Sequence, residues 1–187
     1  MLFVLHGAFF SLEFKQPTLI DPQVFVKDPI AQAGIGPQNI AHIAGIRPAR
    51  LSDNGDLPLY NTEGKALNFS LGDWLAPRGS VEIFTEPGGK ARVRVRFTNL
   101  ISNAKYSLFE NHFTPGGITF TPLDGTGTTN TFVADKNGTA EASVIAPHML
   151  THENAVLLVY HSDGIDHGMQ RGAIGVNAHH QMVARIP

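Results

Sequence analysis

Alternation of apolar and charged residues is the clearest signal in this chain. Residues 91–97 read Ala-Arg-Val-Arg-Val-Arg-Phe. Side chains of a strand point alternately to opposite faces, so Ala91, Val93, Val95 and Phe97 share one face and Arg92, Arg94 and Arg96 the other. One dry face and one wet face is the pattern of an antiparallel sheet. The arginine stripe is expected to meet acidic residues across the sheet, an anionic partner being the alternative reading.

Leu67, Phe69 and Leu71 alternate in the same way, and residues 81–84 form another short run before the turn at 86–89. Residues 105–110 follow a turn at Ser102 and Asn103 and are expected to form a hairpin with the arginine strand. A further strand is read at 118–122. Residues 130–135 and 139–145 flank Lys136-Asn137-Gly138. Asn-Gly supplies the left-handed residues of a tight turn, which predicts a second hairpin there. Two apolar runs, 155–161 and 180–186, enclose a glycine-containing loop near the C-terminal end. Only residues 147–154 read as helical, and Gly72–Pro77 reads as a bend whose Trp74 plugs the core. About nine strands joined by frequent turns predict an all-β fold, an antiparallel β-sandwich of immunoglobulin-like or superoxide-dismutase-like Greek-key type.

The N-terminal part breaks the pattern. Pro17, Pro22, Pro29, Pro37, Pro48 and Pro58 are interspersed with Gly34, Gly36, Gly45 and Gly55. Proline removes a donor and ends helices, so residues 1–59 are expected to form an irregular Pro/Gly-rich arm ahead of a sandwich domain over 60–187. The arm is nonetheless apolar, with Val24, Phe25, Val26, Ile35, Ile40 and Ile46 among its residues. Such a segment needs cover, and the expectation is a protein partner or a homo-oligomer contacted through the arm, with wrapping of its own domain as the alternative.

Charge and cysteine content narrow the function classes. The formal net charge is −2, which gives no steering toward nucleic acid. There are no cysteines, so thiol catalysis, iron–sulfur clusters and disulfide staples are excluded. Residues 1–14 are apolar but too short to span a bilayer and lack a basic flank or cleavage site, and no other stretch reads as transmembrane. Few lysines and many Thr, Gly and Asn residues favour an exported protein, periplasmic or extracellular, with a cytoplasmic protein as the alternative.

Candidate chemistry gathers in residues 155–187, which hold His161, His167, His179 and His180 with Asp163 and Asp166. Three imidazoles and a carboxylate suit copper or zinc, so His161, Asp163, His167, His179 and His180 are the candidate metal ligands. Alternation with Met182, Ala184 and Ile186 places His180 on the core side and His179 on the opposite face. His148 and His152 stand four apart, half of a metal site, without the glutamate of a zincin. His161-Ser162-Asp163 contains triad residue types, but chain neighbours cannot hydrogen-bond in series. No nucleophile elbow, phosphate loop or dinucleotide fingerprint occurs.

Val133-Ala-Asp-Lys-Asn-Gly-Thr-Ala140 and Val159-Tyr160-His161 resemble stretches of the copper/zinc superoxide dismutase sandwich. The resemblance implies a sandwich fold. Where that family carries its His-x-His copper pair, this chain has Ser107-Leu108-Phe109, so the dismutase copper site does not carry over. The expected function is an exported, non-enzymatic binding or structural subunit, with a copper- or zinc-binding metalloprotein as the alternative.

Overall fold

The computed structural model describes residues 1–187. The chain opens with β1 (Val4–Leu5), α1 (His6–Glu13) and β2 (Ile20–Lys27), followed by the small hairpin β3 (Gly34–Ile35) and β4 (Ala41–His42). Then come β5 (Ile46–Arg50), β6 (Pro58–Tyr60), β7 (Ala66–Ser70), α2 (Leu71–Leu75), β8 (Arg78–Glu86) and β9 (Lys90–Thr98). The rest is strand: β10 (Lys105–Thr114), β11 (Gly117–Pro122), β12 (Thr131–Val133), β13 (Ala140–Ala146), β14 (Asn154–His161) and β15 (Ala178–Arg185). All strand pairings within these sheets are antiparallel.

The expected sandwich is present. One sheet runs β1-β15-β14-β10-β11, with β12 also on β10, and the facing sheet runs β13-β9-β8. Val81, Val93, Val95, Phe97 and Val144 of the smaller sheet join Tyr106, Leu108, Val156, Leu158, Tyr160 and Met182 of the larger in one buried core. The arginine stripe lies outside. Arg92 donates to Glu86 at 2.6 Å and Arg96 to Glu141 at 3.1 Å, so neighbouring carboxylates satisfy these two cations.

Two expected hairpins are corners instead. β9 pairs with β8 and β13, while β10 pairs with β14, β11 and β12 in the other sheet. The turn at 102–103 therefore carries the chain across the sandwich. The Asn137-Gly138 turn forms, with Gly138 at φ +72, but its flanks also part: β12 joins β10 and β13 joins β9. Residues 147–153 form bends and turns, not a helix, which removes the shared helical face of His148 and His152.

The first sixty residues hold more regular structure than their prolines suggested. A third sheet runs β5-β2-β6-β7, and Val24, Val26, Ala49, Leu59 and Leu67 extend the main core. β6 lies across the expected 59/60 boundary and pairs with β2 on one side and β7 on the other. Pro22 is accommodated at a pairing irregularity between Asp21 and Phe25, where no ladder donor is needed. β1 pairs with β15 while Phe3 N–H bonds Gly79 C=O, so the start of the chain stitches the edges of both sheets.

β14 is buried on both faces, which is why it reads as an unbroken apolar run. Its inner side chains enter the sandwich core. Its outer ones, Ala155, Leu157 and Val159, pack with Phe109, Ala178 and Val183 under Phe9 of α1. α1 is tied to β2 by Ser11, whose hydroxyl donates to Ile20 C=O and accepts from Ile20 N–H. This third layer positions the histidines of the C-terminal hairpin.

Candidate metal centre

β14 and β15 form the expected closing hairpin, joined by residues 162–177. His161 is the last residue of β14, opposite Lys105 of β10 and Ala178 of β15. It shares the outer face with Ser107, and Ser107 Oγ lies 2.5 Å from His161 Nε2. The other ring nitrogen, Nδ1, is buried without a partner. A buried polar atom with no partner costs free energy comparable to a lost hydrogen bond, so it calls for an explanation.

The loop brings two more donors to this ring. The chain turns back after His161, and Asp163 accepts from Ile165 N–H at 3.0 Å, which fixes its carboxylate. The other Asp163 oxygen lies 3.0 Å from His167 Nε2. The His161 and His167 rings stand 5.3 Å apart between centroids. One ligand atom from each of His161, Asp163 and His167 falls within 4.8 Å of the others. This group can hold a metal ion.

His161 is kept neutral. Burial is the main cause, the nearby His167 adds to it, and Asp163 and Asp166 act against it, leaving its pKa lowered to about 4. A neutral imidazole is the form that binds metal, so protons do not compete at neutral pH. Ser107 is itself buried, so its contact with His161 orients the ring and does not present a nucleophile.

The tandem histidines lie elsewhere, and their faces are reversed from expectation. The β14–β15 register shifts between Leu158 and Val159: Leu158 faces Met182, but Val159 faces His180. The extra residue, Gln181, flips the parity of everything before it, as a β-bulge does. His179 therefore turns inward against Trp74 and Tyr160, with centroids 6.3 and 5.9 Å away. His180 turns outward toward His6 and Phe120.

Hydrogen bonding takes His179 out of the metal group. Its Nδ1 lies 2.8 Å from Gln23 C=O, which can only accept, so Nδ1 carries the proton. Its Nε2 faces Ser162 Oγ at 3.3 Å. Burial lowers its pKa to about 4, against the bond that Nδ1 donates to Gln23 C=O. His180 is held by Gln23, and Arg171 lies beside it, 3.0 Å from the His180 Nε2. Of the five candidate ligands, three converge and two serve hydrogen-bond networks. His148 and His112 instead approach the buried carboxylate of Glu110, at 3.0 and 3.5 Å.

The sequence offered no signal for Ser107 or Gln23 as site residues, because their contacts with His161 and His180 span 54 and 157 residues of chain. Comparison with protein-family models, curated proteins and solved structures finds no match to this chain.

Proposed function

We propose that the protein is a metal-binding β-sandwich whose centre holds zinc or copper(II) through His161 Nδ1, an Asp163 oxygen and His167. The observation that carries this reading is the bare, buried Nδ1 of His161, beside two further ligand groups. Ser107 accepts from the opposite nitrogen, the arrangement by which a ligating histidine is usually fixed in tautomer and direction. Zinc ligands at about 2.0–2.1 Å require donor atoms about 3.3 Å apart in a tetrahedral site. The present spread of 4.8 Å closes by a shift of Asp163 and His167, both on the loop. Asp163 is exposed, so a fourth position is left to water or a ligand.

Titration calorimetry with zinc and with copper(II) in chelator-free buffer tests this. One ion per chain is expected, with at least tenfold weaker binding in His161→Ala and in His167→Ala, and about tenfold in Ser107→Ala. His179→Gln should bind as the native chain does. Absence of saturable, stoichiometric binding would remove the proposal.

A second reading, an exported binding or structural subunit that assembles through its N-terminal part, rests on exposed apolar residues there. Ile30 is 85% exposed and Ile35 75%, both near the small β3–β4 hairpin. Light scattering at rising concentration should then show association that Ile35→Glu weakens. A monomer at every concentration would argue against self-assembly.

A further inference from the structure

Beside the hairpin, on the outer side of β15, a cavity of about 500 Å³ opens between the loop before β4, the start of β11 and the 162–177 loop. That is within the usual range for small-molecule sites. Its apolar wall includes Phe14, Ile40, Ile118 and Ile174. Its polar wall is built from Arg171, His180, Gln23 and Gln38.

Arg171 has no acidic partner. Its guanidinium lies 3.5 Å over the ring of Phe120, and its only hydrogen-bond neighbour is His180 Nε2 at 3.0 Å. Burial alone pulls its pKa down to about 10, with no carboxylate to offset it. A half-buried guanidinium normally finds a carboxylate or phosphate, which its fork of donors matches.

The contact with His180 is itself a conflict of donors. His180 N–H donates to Gln23 Oε1 at 2.6 Å, and this fixes which end of the Gln23 amide is oxygen. The amide nitrogen then donates to Gln38 Oε1 at 2.7 Å and to His180 Nδ1 at 3.1 Å. Nδ1 must accept, so the proton of the neutral ring sits on Nε2. That N–H faces an N–H of Arg171, and no acceptor stands between them. Both residues line the cavity. At its rim, Gln38 and Asn39 hold consecutive positive φ angles of 59° and 57°, a conformation rare outside glycine and frequent at ligand sites.

We propose that this cavity binds a small monocarboxylic acid with an apolar body, its carboxylate bridging Arg171 and His180 Nε2 and its body lying against Ile40, Ile118 and Ile174. The carboxylate supplies the acceptor that both N–H groups lack. The cation–π contact with Phe120 holds the guanidinium plane and leaves its edge for the ligand. Apolar walls on the remaining sides favour a hydrocarbon body over a hydrated phosphate. The site is separate from the metal group and stands whether or not a metal binds.

Octanoate, octanamide and inorganic phosphate, each titrated calorimetrically into the full-length protein, test the proposal. Octanoate is expected to bind one per chain, at least tenfold more tightly than octanamide, and Arg171→Gln to lose at least tenfold. Ile118→Trp, on the half-exposed strand β11, should fill the cavity and abolish binding, and it serves as the test if Arg171→Gln fails to fold. Equal binding of acid and amide, or unchanged binding in the variants, would overturn the assignment. So would saturable phosphate binding that excludes octanoate, which would make this an inorganic anion site.

Discussion

Asp21 is the least comfortable residue in the core, and Trp74 is what makes it tolerable. The carboxylate is buried with no cation beside it. It accepts from Trp74 Nε1 at 2.9 Å and from Gln23 N–H at 2.9 Å. Desolvation dominates these bonds, and its pKa is raised to about 6. Trp74→Phe removes one donor and leaves a void, so an unfolding free energy lower by about 2–4 kcal/mol is expected at neutral pH. The deficit should shrink at pH 6, within the range where the protein is still folded and the orphaned oxygen begins to be protonated. Urea unfolding at both pH values checks this, and an equal deficit at each would mean that packing alone links the two residues. Trp74 as a core plug was legible from its single occurrence in an apolar bend; Asp21 beneath it was not, since nothing local marks a buried acid.

At the scale of elements, local pattern revealed strands but not their partners. Residues 91–97 show their dry face in the sequence because each position obeys the same local alternation. Whether the next strand returns beside them or crosses to the opposite sheet depends on contacts far along the chain. Asn137-Gly138 illustrates the limit: a Cβ at Gly138 would come within 2.3 Å of Leu100 C=O, so the glycine is required by close approach to the crossing before β10. The turn chemistry is the same in a hairpin and in a corner. β15 shows the complementary failure. Alternation assigned His179 and His180 to faces, and one inserted residue, Gln181, exchanged them. Bulges leave little trace in a single sequence, because they are set by what the flanking strand must pack against. The metal group was more legible, since Asp163 and His167 are four apart on one loop and His161 is two before Asp163. Such proximity owes little to the sheets.

For the whole molecule, the decisive quantity is how many imidazoles are held neutral. Burial lowers the pKa of His6 to about 3, with Arg171 adding to it, and lowers His179 to about 4. His161 is likewise lowered to about 4 and His180 lies well below its ordinary value. In each case the unfolded chain, titrating near 6.5, binds a proton that the folded chain refuses. Stability from these four groups is complete above pH 6.5 and is lost as pH falls toward 4. Asp21 acts in the opposite sense: its folded pKa of about 6 exceeds its unfolded 3.8, so stability rises as pH falls through that window. One acid cannot offset four histidines. At pH 5 His6, His161 and His179 each cost about 2 kcal/mol, His180 acts in the same direction, and Asp21 returns about 1 kcal/mol. The net loss is comparable with the whole stability of an ordinary domain. The protein should therefore unfold cooperatively between pH 6.5 and 4.5, taking up at least about two protons per chain near pH 5. Urea midpoints across this range, with proton uptake measured in buffers of different ionisation enthalpy, decide it. A flat profile would mean that water reaches these rings and that the neutral, metal-ready state of His161 is not enforced by the fold.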